Sequence, residues 1–197
     1  MSFPEISIRL PAWVGEMVED RVYPTVEDRM RLAIELSREN ARRGTGGPFG
    51  AAVFDSGSGR LIAPGVNLVV GSGNSVAHAE TVAIMVAQRV VGTFDLGAAE
   101  TPACELVAST EPCLMCLGAT IWSGVHGLVC GARDEDAARI GFDEGPKPPV
   151  WYERLEERGI SVHRDVLRDE AVRALADYAD TGGRIYNARS GAGPNDG

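Results

Sequence analysis

Two short stretches, His78-Ala-Glu80 and Glu111-Pro-Cys-Leu-Met-Cys-Leu-Gly-Ala119, decide how this chain reads. Each opens a segment expected to be helical after a strand or loop. Cysteines three apart at a helix start point the same way, so the thiolates of Cys113 and Cys116 can share one metal ion. The positive end of the helix favours thiolate over thiol. His78, at the start of a neighbouring helix, is the third candidate ligand. Three protein ligands leave the fourth tetrahedral position to water, which marks a catalytic rather than a structural zinc site. Glu80 lies two residues from His78, near enough to take a proton from that water without being a ligand.

The alternation of elements around these stretches sets the architecture. Thr25 followed by Asp28 reads as a helix cap, and Val26–Arg43 carries Met30, Ala33, Ile34 and Leu36 at helical spacing. A Gly-rich loop leads to a strand at Phe49–Phe54, a turn, and a second strand at Leu61–Val70 as a hairpin. Ser75–Val91 reads as a helix apolar almost all round, to be buried on more than one side. Then come a strand at Cys104–Thr110, a helix at Pro112–Trp122, a strand at Gly127–Gly131 and a short helix at Asp134–Ile140. A helix at Trp151–Arg158, a strand near Ile160–Val166 and a helix at Arg168–Asp180 follow. This alternation predicts a layered α/β sheet with helices on both faces. Residues 1–24 read as an N-terminal arm, 25–189 as the one catalytic domain, and 190–197, small and polar, as a disordered tail.

Charge narrows the partners. With 19 basic and 28 acidic residues the chain is at −9, so it repels a nucleic-acid backbone on average and nucleic acid is disfavoured. No apolar run approaches a membrane span and no secretory signal is visible, so the expectation is a cytoplasmic protein with no membrane partner. In a reducing compartment Cys113 and Cys116 are thiols for chemistry, not a disulfide. A redox dithiol and a closed structural site completed by Cys104 or Cys130 are the competing readings. Both of those cysteines sit beside apolar strand residues and read as buried small hydrophobes. His-x-Glu with Pro-Cys-x-x-Cys is the signature of zinc deaminases, in which a metal-activated water attacks an amino-bearing ring carbon and a glutamate moves the proton.

On these residues, together with Gly46-Gly-Pro-Phe-Gly-Ala51 and Asp136-Ala-Ala-Arg-Ile-Gly-Phe-Asp143, the chain resembles the cytidine-deaminase-like superfamily. The likeness runs from about Gly46 to Phe142 and is greatest to the bacterial guanine deaminase branch. The resemblance implies a three-layer α/β fold with a mixed five-stranded sheet between helices, a bound Zn2+ and a homodimer. It implies that His78, Cys113 and Cys116 bind zinc, that Glu80 is the proton shuttle, and that the backbone near Ala79 helps hold the water. Asn67, eleven residues before His78, matches the family asparagine that contacts the base; a turn residue is the alternative. Phe49 is a candidate pocket wall or a core residue. Asp143 matches an acid that reads the purine, whereas Glu144 departs from the family pattern; a solvated loop acid is the alternative for both. Tyr186, in Gly182-Gly-Arg-Ile-Tyr-Asn187, belongs to a candidate lid. Pro146-Lys-Pro-Pro149 and Asn74-Ser75-Val76 also depart from guanine deaminases, so the substrate is read as a free nucleobase or nucleoside, guanine first. Cytosine, cytidine or another aminoheterocycle stay open. A tRNA adenosine deaminase comes next, and a non-catalytic zinc protein last.

Overall fold

The computed structural model describes residues 1–18 and 20–189. In chain order it contains α1 (Ala12–Met17), α2 (Val26–Arg42), β1 (Gly50–Asp55), β2 (Leu61–Val66), α3 (Val69–Ser72) and α4 (Ala79–Val91). Then follow β3 (Cys104–Thr110), α5 (Leu114–Ser123), β4 (Gly127–Ala132), α6 (Asp134–Arg139), α7 (Trp151–Glu156), β5 (Ser161–His163) and α8 (Arg168–Asp180). The sheet order is β2-β1-β3-β4-β5. β1 pairs antiparallel with β2 and β3, while β3, β4 and β5 run parallel. This is the mixed five-stranded sheet between helices that the resemblance implied.

Alternation along the central strands feeds two cores. Ala52, Phe54, Val107 and Val129 pack with α2 and α8 on one face. Ala51, Val53, Leu106, Leu128 and Cys130 pack with α4, α5 and α7 on the other. Every residue of β3 and β4 is buried, as expected where helices cover both faces of a sheet. Helix α2 starts as expected: Thr25 Oγ1 accepts from the Asp28 N–H at 3.1 Å and Asp28 Oδ2 accepts from the Thr25 N–H at 3.3 Å.

Several boundaries differ from the sequence reading, and four of them have the following local causes. The second strand ends at Val66, not Val70, because Asn67 turns the chain, its Oδ1 accepting from the Val69 N–H at 3.2 Å. α4 begins at Ala79, not Ser75, because Asn74 closes a turn over Val76 and Ala77, with bonds of 3.1 Å to each N–H. α5 likewise begins at Leu114, with Cys113 as its cap. β5 spans only Ser161–His163, since Asp165 turns the chain at a φ of 65°. The segment read as an arm contains α1, whose Trp13 and Val14 are buried in the α2 core. The segment read as a disordered tail, 190–197, lies outside the described residues.

Two glycines set how closely helices approach β1 and β2. A Cβ on Gly50 would lie 2.2 Å from the Ala33 carbonyl oxygen of α2, and one on Gly65 would lie 2.3 Å from the Ala79 carbonyl oxygen of α4. Gly65 therefore lets the first turn of α4 settle flush on β2.

Candidate active site

His78 and Cys113 are the cap residues of α4 and α5, so each stands where a chain leaves extended backbone and enters a helix. The Cys113 Sγ lies 3.5 Å from the His78 Nδ1, and donor atoms of His78, Cys113 and Cys116 all fall within 4.8 Å of one another. Zinc bonds of ~2.3 Å to sulfur and ~2.1 Å to nitrogen set ligand–ligand gaps of about 3.3–3.8 Å, so this donor set fits zinc with small side-chain shifts. Cys104 and Cys130 are also free and buried, but they lie outside this cluster. His126 and His163 are exposed and distant from it in the same sense.

Electrostatics at the cluster follow from proximity in a dry place. A hydrogen bond from Cys116 outweighs burial and holds the Cys113 thiol down to about 4. The same bond and burial push Cys116 up. Burial opposes protonation of His78, yet the Cys113 bond and the Glu80 charge raise it overall. Burial, with the Cys113 charge, pushes the Glu80 carboxyl up to about 7. A thiol favoured as thiolate beside a second thiol and an imidazole is a donor set suited to a cation.

A cavity of about 520 Å³ opens onto this cluster. His78, Glu80 and Cys113 form its floor, and Phe49, Asn67, Asp143, Glu144 and Tyr186 also line it. Cys116 lies behind the wall, fully buried. Ala79 does not line the cavity; its side chain belongs to the core beneath α4, so only its backbone, in the first helical turn, can serve a ligand.

Asn67 makes a turn at the edge of the cavity. Its Oδ1 makes the turn to Val69, while the buried side chain borders the cavity. Asn40 fixes this corner by donating from Nδ2 to the carbonyls of Gly47 at 2.9 Å and Asn67 at 2.8 Å. The two loop acids separate. Asp143 is exposed, its Oδ1 accepting from the Gly145 N–H at 2.9 Å, whereas burial pushes Glu144 up to about 8, with the Cys113 and Glu80 charges adding to the shift. The segment around Tyr186 crosses this chain's own cavity. Asn187 holds it there, its Oδ1 accepting from the Asp143 N–H at 3.0 Å and its Nδ2 donating to the Gly141 carbonyl at 2.8 Å. The Tyr186 hydroxyl is buried without a hydrogen-bond partner.

Two residues escaped the sequence reading. Phe142 packs edge-on to Phe49 at 4.9 Å and to Tyr186 at 5.2 Å, joining three cavity walls. Its signal was available, as the apolar residue in an otherwise charged and glycine-rich loop. Lys147 lies inside the Pro146–Pro149 stretch, which the sequence marks only as a departure from guanine deaminases.

Residues 24–132 match the family model described as the cytidine and deoxycytidylate deaminase zinc-binding region. The chain belongs to this family. Within it, the chain is 40% identical over 143 residues to the guanine deaminase of Bacillus subtilis strain 168, covering 73% of this chain and 87% of that protein. A solved structure of guanine deaminase from Nitrosomonas europaea is 49% identical, with a TM-score of 0.86 over 89% of this chain and 97% of that one. A mutant of the protein NE0047 in complex with 8-azaguanine is 48% identical, with a TM-score of 0.87 over 92% of this chain and 99% of that one. The zinc-binding deaminase family and its fold are therefore those that the sequence motifs implied.

Proposed function

We propose that this chain is a zinc-dependent aminohydrolase that converts guanine and water to xanthine and ammonia. The observation that carries it is the Glu80 carboxyl, buried beside the His78–Cys113–Cys116 cluster in a chain 49% identical to a guanine deaminase. Zinc held by these three residues supplies a Lewis acid that makes a water nucleophilic near neutral pH.

The protein's own groups do the rest. Glu80, buried beside the cluster, takes a proton from the attacking water and gives it to the departing amino group. Asn67 offers its amide to the edge of the base. Phe49 and Phe142 present aromatic surface to the ring. Glu144, desolvated in the cavity, accepts hydrogen bonds from ring N–H groups, with Asp143 at the rim. The buried Tyr186 hydroxyl acquires its missing partner from the substrate. Backbone at Ala79 steadies the water.

The same reading makes residues 25–189 the catalytic unit and the protein a cytoplasmic homodimer. Among the described residues no helix is long and apolar enough to cross a membrane. α5 carries no charged side chain, yet its Leu114 and Trp122 are exposed, Trp122 at 86%. Exposed apolar surface of this kind, together with exposed Met85 and Val90 of α4, favours burial against a second copy. Ammonia release from guanine, cytosine, cytidine and adenine by zinc-loaded protein, with an anticodon-loop RNA assayed for inosine, tests the assignment. Turnover of guanine is expected; inosine formation without guanine turnover overturns it.

A further inference from the structure

Lys147 carries a charge into a place that ought to exclude it. Its side chain is 4% exposed, and its ammonium sits over the Trp151 ring, 4.7 Å from the centroid. Burying an ammonium costs several kcal/mol unless it is paired and fully hydrogen-bonded. Here Asp134 Oδ1 pairs with it directly and Glu111 Oε2 lies 3.9 Å away. Glu111 is itself held, its Oε1 accepting from Arg164 Nε at 2.6 Å and its Oε2 from the Asp134 N–H at 3.3 Å. The remaining donor capacity goes to one backbone group: Lys147 Nζ donates to the Pro112 carbonyl at 2.9 Å.

Pro112 precedes Cys113, and Leu114 follows it. The Leu114 N–H donates to the Glu144 carbonyl at 3.0 Å, and the Lys147 N–H donates to the Gly145 carbonyl at 2.8 Å. The short turn Glu144–Lys147 therefore grips the cysteine segment on both sides of Cys113, once by the backbone of Glu144 and once by the ammonium of Lys147. Pro146 and Pro148 restrict the backbone on either side of Lys147, so the ammonium's position and that of the Glu144 carboxyl are coupled through three peptide units.

We propose that Lys147 is a positioning residue for substrate recognition: by clamping its turn to the Pro112 carbonyl it fixes where the Glu144 carboxyl stands over the metal cluster. The inference rests on the guanine deaminase reading for the role of Glu144, but the clamp itself is observable without substrate. It also gives the buried charge a purpose that an apolar side chain at 147 could not serve.

The test compares zinc-loaded full-length K147M, E144Q and the K147M–E144Q double variant with wild type. Because K147M leaves Asp134 unpaired, K147M–D134N is made as well, restoring charge balance while leaving the Pro112 carbonyl unclamped. Zinc content, amide exchange of Leu114 without substrate, 8-azaguanine affinity and guanine kinetics are measured on each. Misplacement of a recognition group by about 1 Å can cost ~100-fold. K147M and K147M–D134N are expected to keep zinc, exchange the Leu114 amide about tenfold faster, and raise KM roughly tenfold with a smaller change in kcat. In the double variant the loss should be no greater than in E144Q alone. Leu114 exchange at the wild-type rate in both Lys147 variants overturns the clamp. Losses that add fully to those of E144Q overturn the route through Glu144. If wild type neither binds 8-azaguanine nor consumes guanine, the functional reading fails, and Leu114 exchange still decides whether Lys147 holds the turn.

Discussion

The Cys113 Sγ stands 3.5 Å from the His78 Nδ1, although the two residues are 35 apart in sequence. Each caps a different helix, and the sheet between β2 and β3 brings those caps together. Gly65 makes this convergence close, because the first turn of α4 rests on its Cα with no room for a methyl group.

Gly65→Ala should therefore act on the site from beneath. Its Cβ would meet the backbone oxygen of Ala79, so α4 must shift, at about 1–3 kcal/mol. Thermal unfolding and zinc titration of the variant should show lower stability and weaker metal binding together. Loss of stability with unchanged zinc affinity would separate the two.

Removing the metal should loosen the cluster. If zinc is present at ~1,000 times its dissociation constant, it adds about 4 kcal/mol, or roughly 10 °C in Tm for a chain of this size. Chelation should lower Tm by that order and abolish turnover, and zinc should restore both. His78→Ala and Cys113→Ser should behave as permanently chelated protein.

Protonation of the buried acids gives the metal-free protein a distinctive pH response. Burial pushes Glu80 up to about 7 and Glu144 up to about 8, both above their ordinary value of 4.5. A carboxyl raised on folding contributes stability that is full below its unfolded pKa and is lost as pH rises through the folded one. The depressed Cys113 thiol acts with the opposite sign over the same range, so the carboxyls are isolated by comparison. The Tm of chelated E80Q–E144Q relative to chelated wild type should rise from pH 5 to pH 9. Scanning calorimetry of both chelated proteins across that range checks it; a Tm difference that does not grow with pH contradicts the burial of these acids.

Tyr186→Phe separates stability from recognition. Its hydroxyl is buried without a partner, so removing it should leave Tm unchanged or raise it slightly, by up to ~1 kcal/mol. Binding of 8-azaguanine, read by calorimetry, should weaken by about tenfold. A lower Tm with full affinity would mean that the hydroxyl serves the fold instead.

The candidate metal cluster was legible as a grouping because its parts are local: Cys113 and Cys116 share a helix start, and Glu80 follows His78 on another. Helical periodicity and the Thr25–Asp28 cap gave α2 nearly to the residue, for the same reason. The ends of β2 and α4 were harder, since Asn67 and Asn74 break them by side-chain bonds that hydrophobic pattern does not record. Lys147 was out of reach from sequence. A lysine between prolines looks solvated until the fold brings Asp134, Glu111 and the Pro112 carbonyl around it. The separation of Asp143 from Glu144 is of the same kind, because adjacent residues in a loop face different surroundings only once Asn187 and Leu114 have fixed that loop.

The most direct measurement is ammonia release from guanine by the zinc-loaded chain beside a zinc-loaded Glu80→Gln variant. The account predicts steady release by the first and a rate lower by about 100- to 10,000-fold in the second at equal zinc content. Guanine left intact by the wild type, or consumed at the same rate by both, would contradict it.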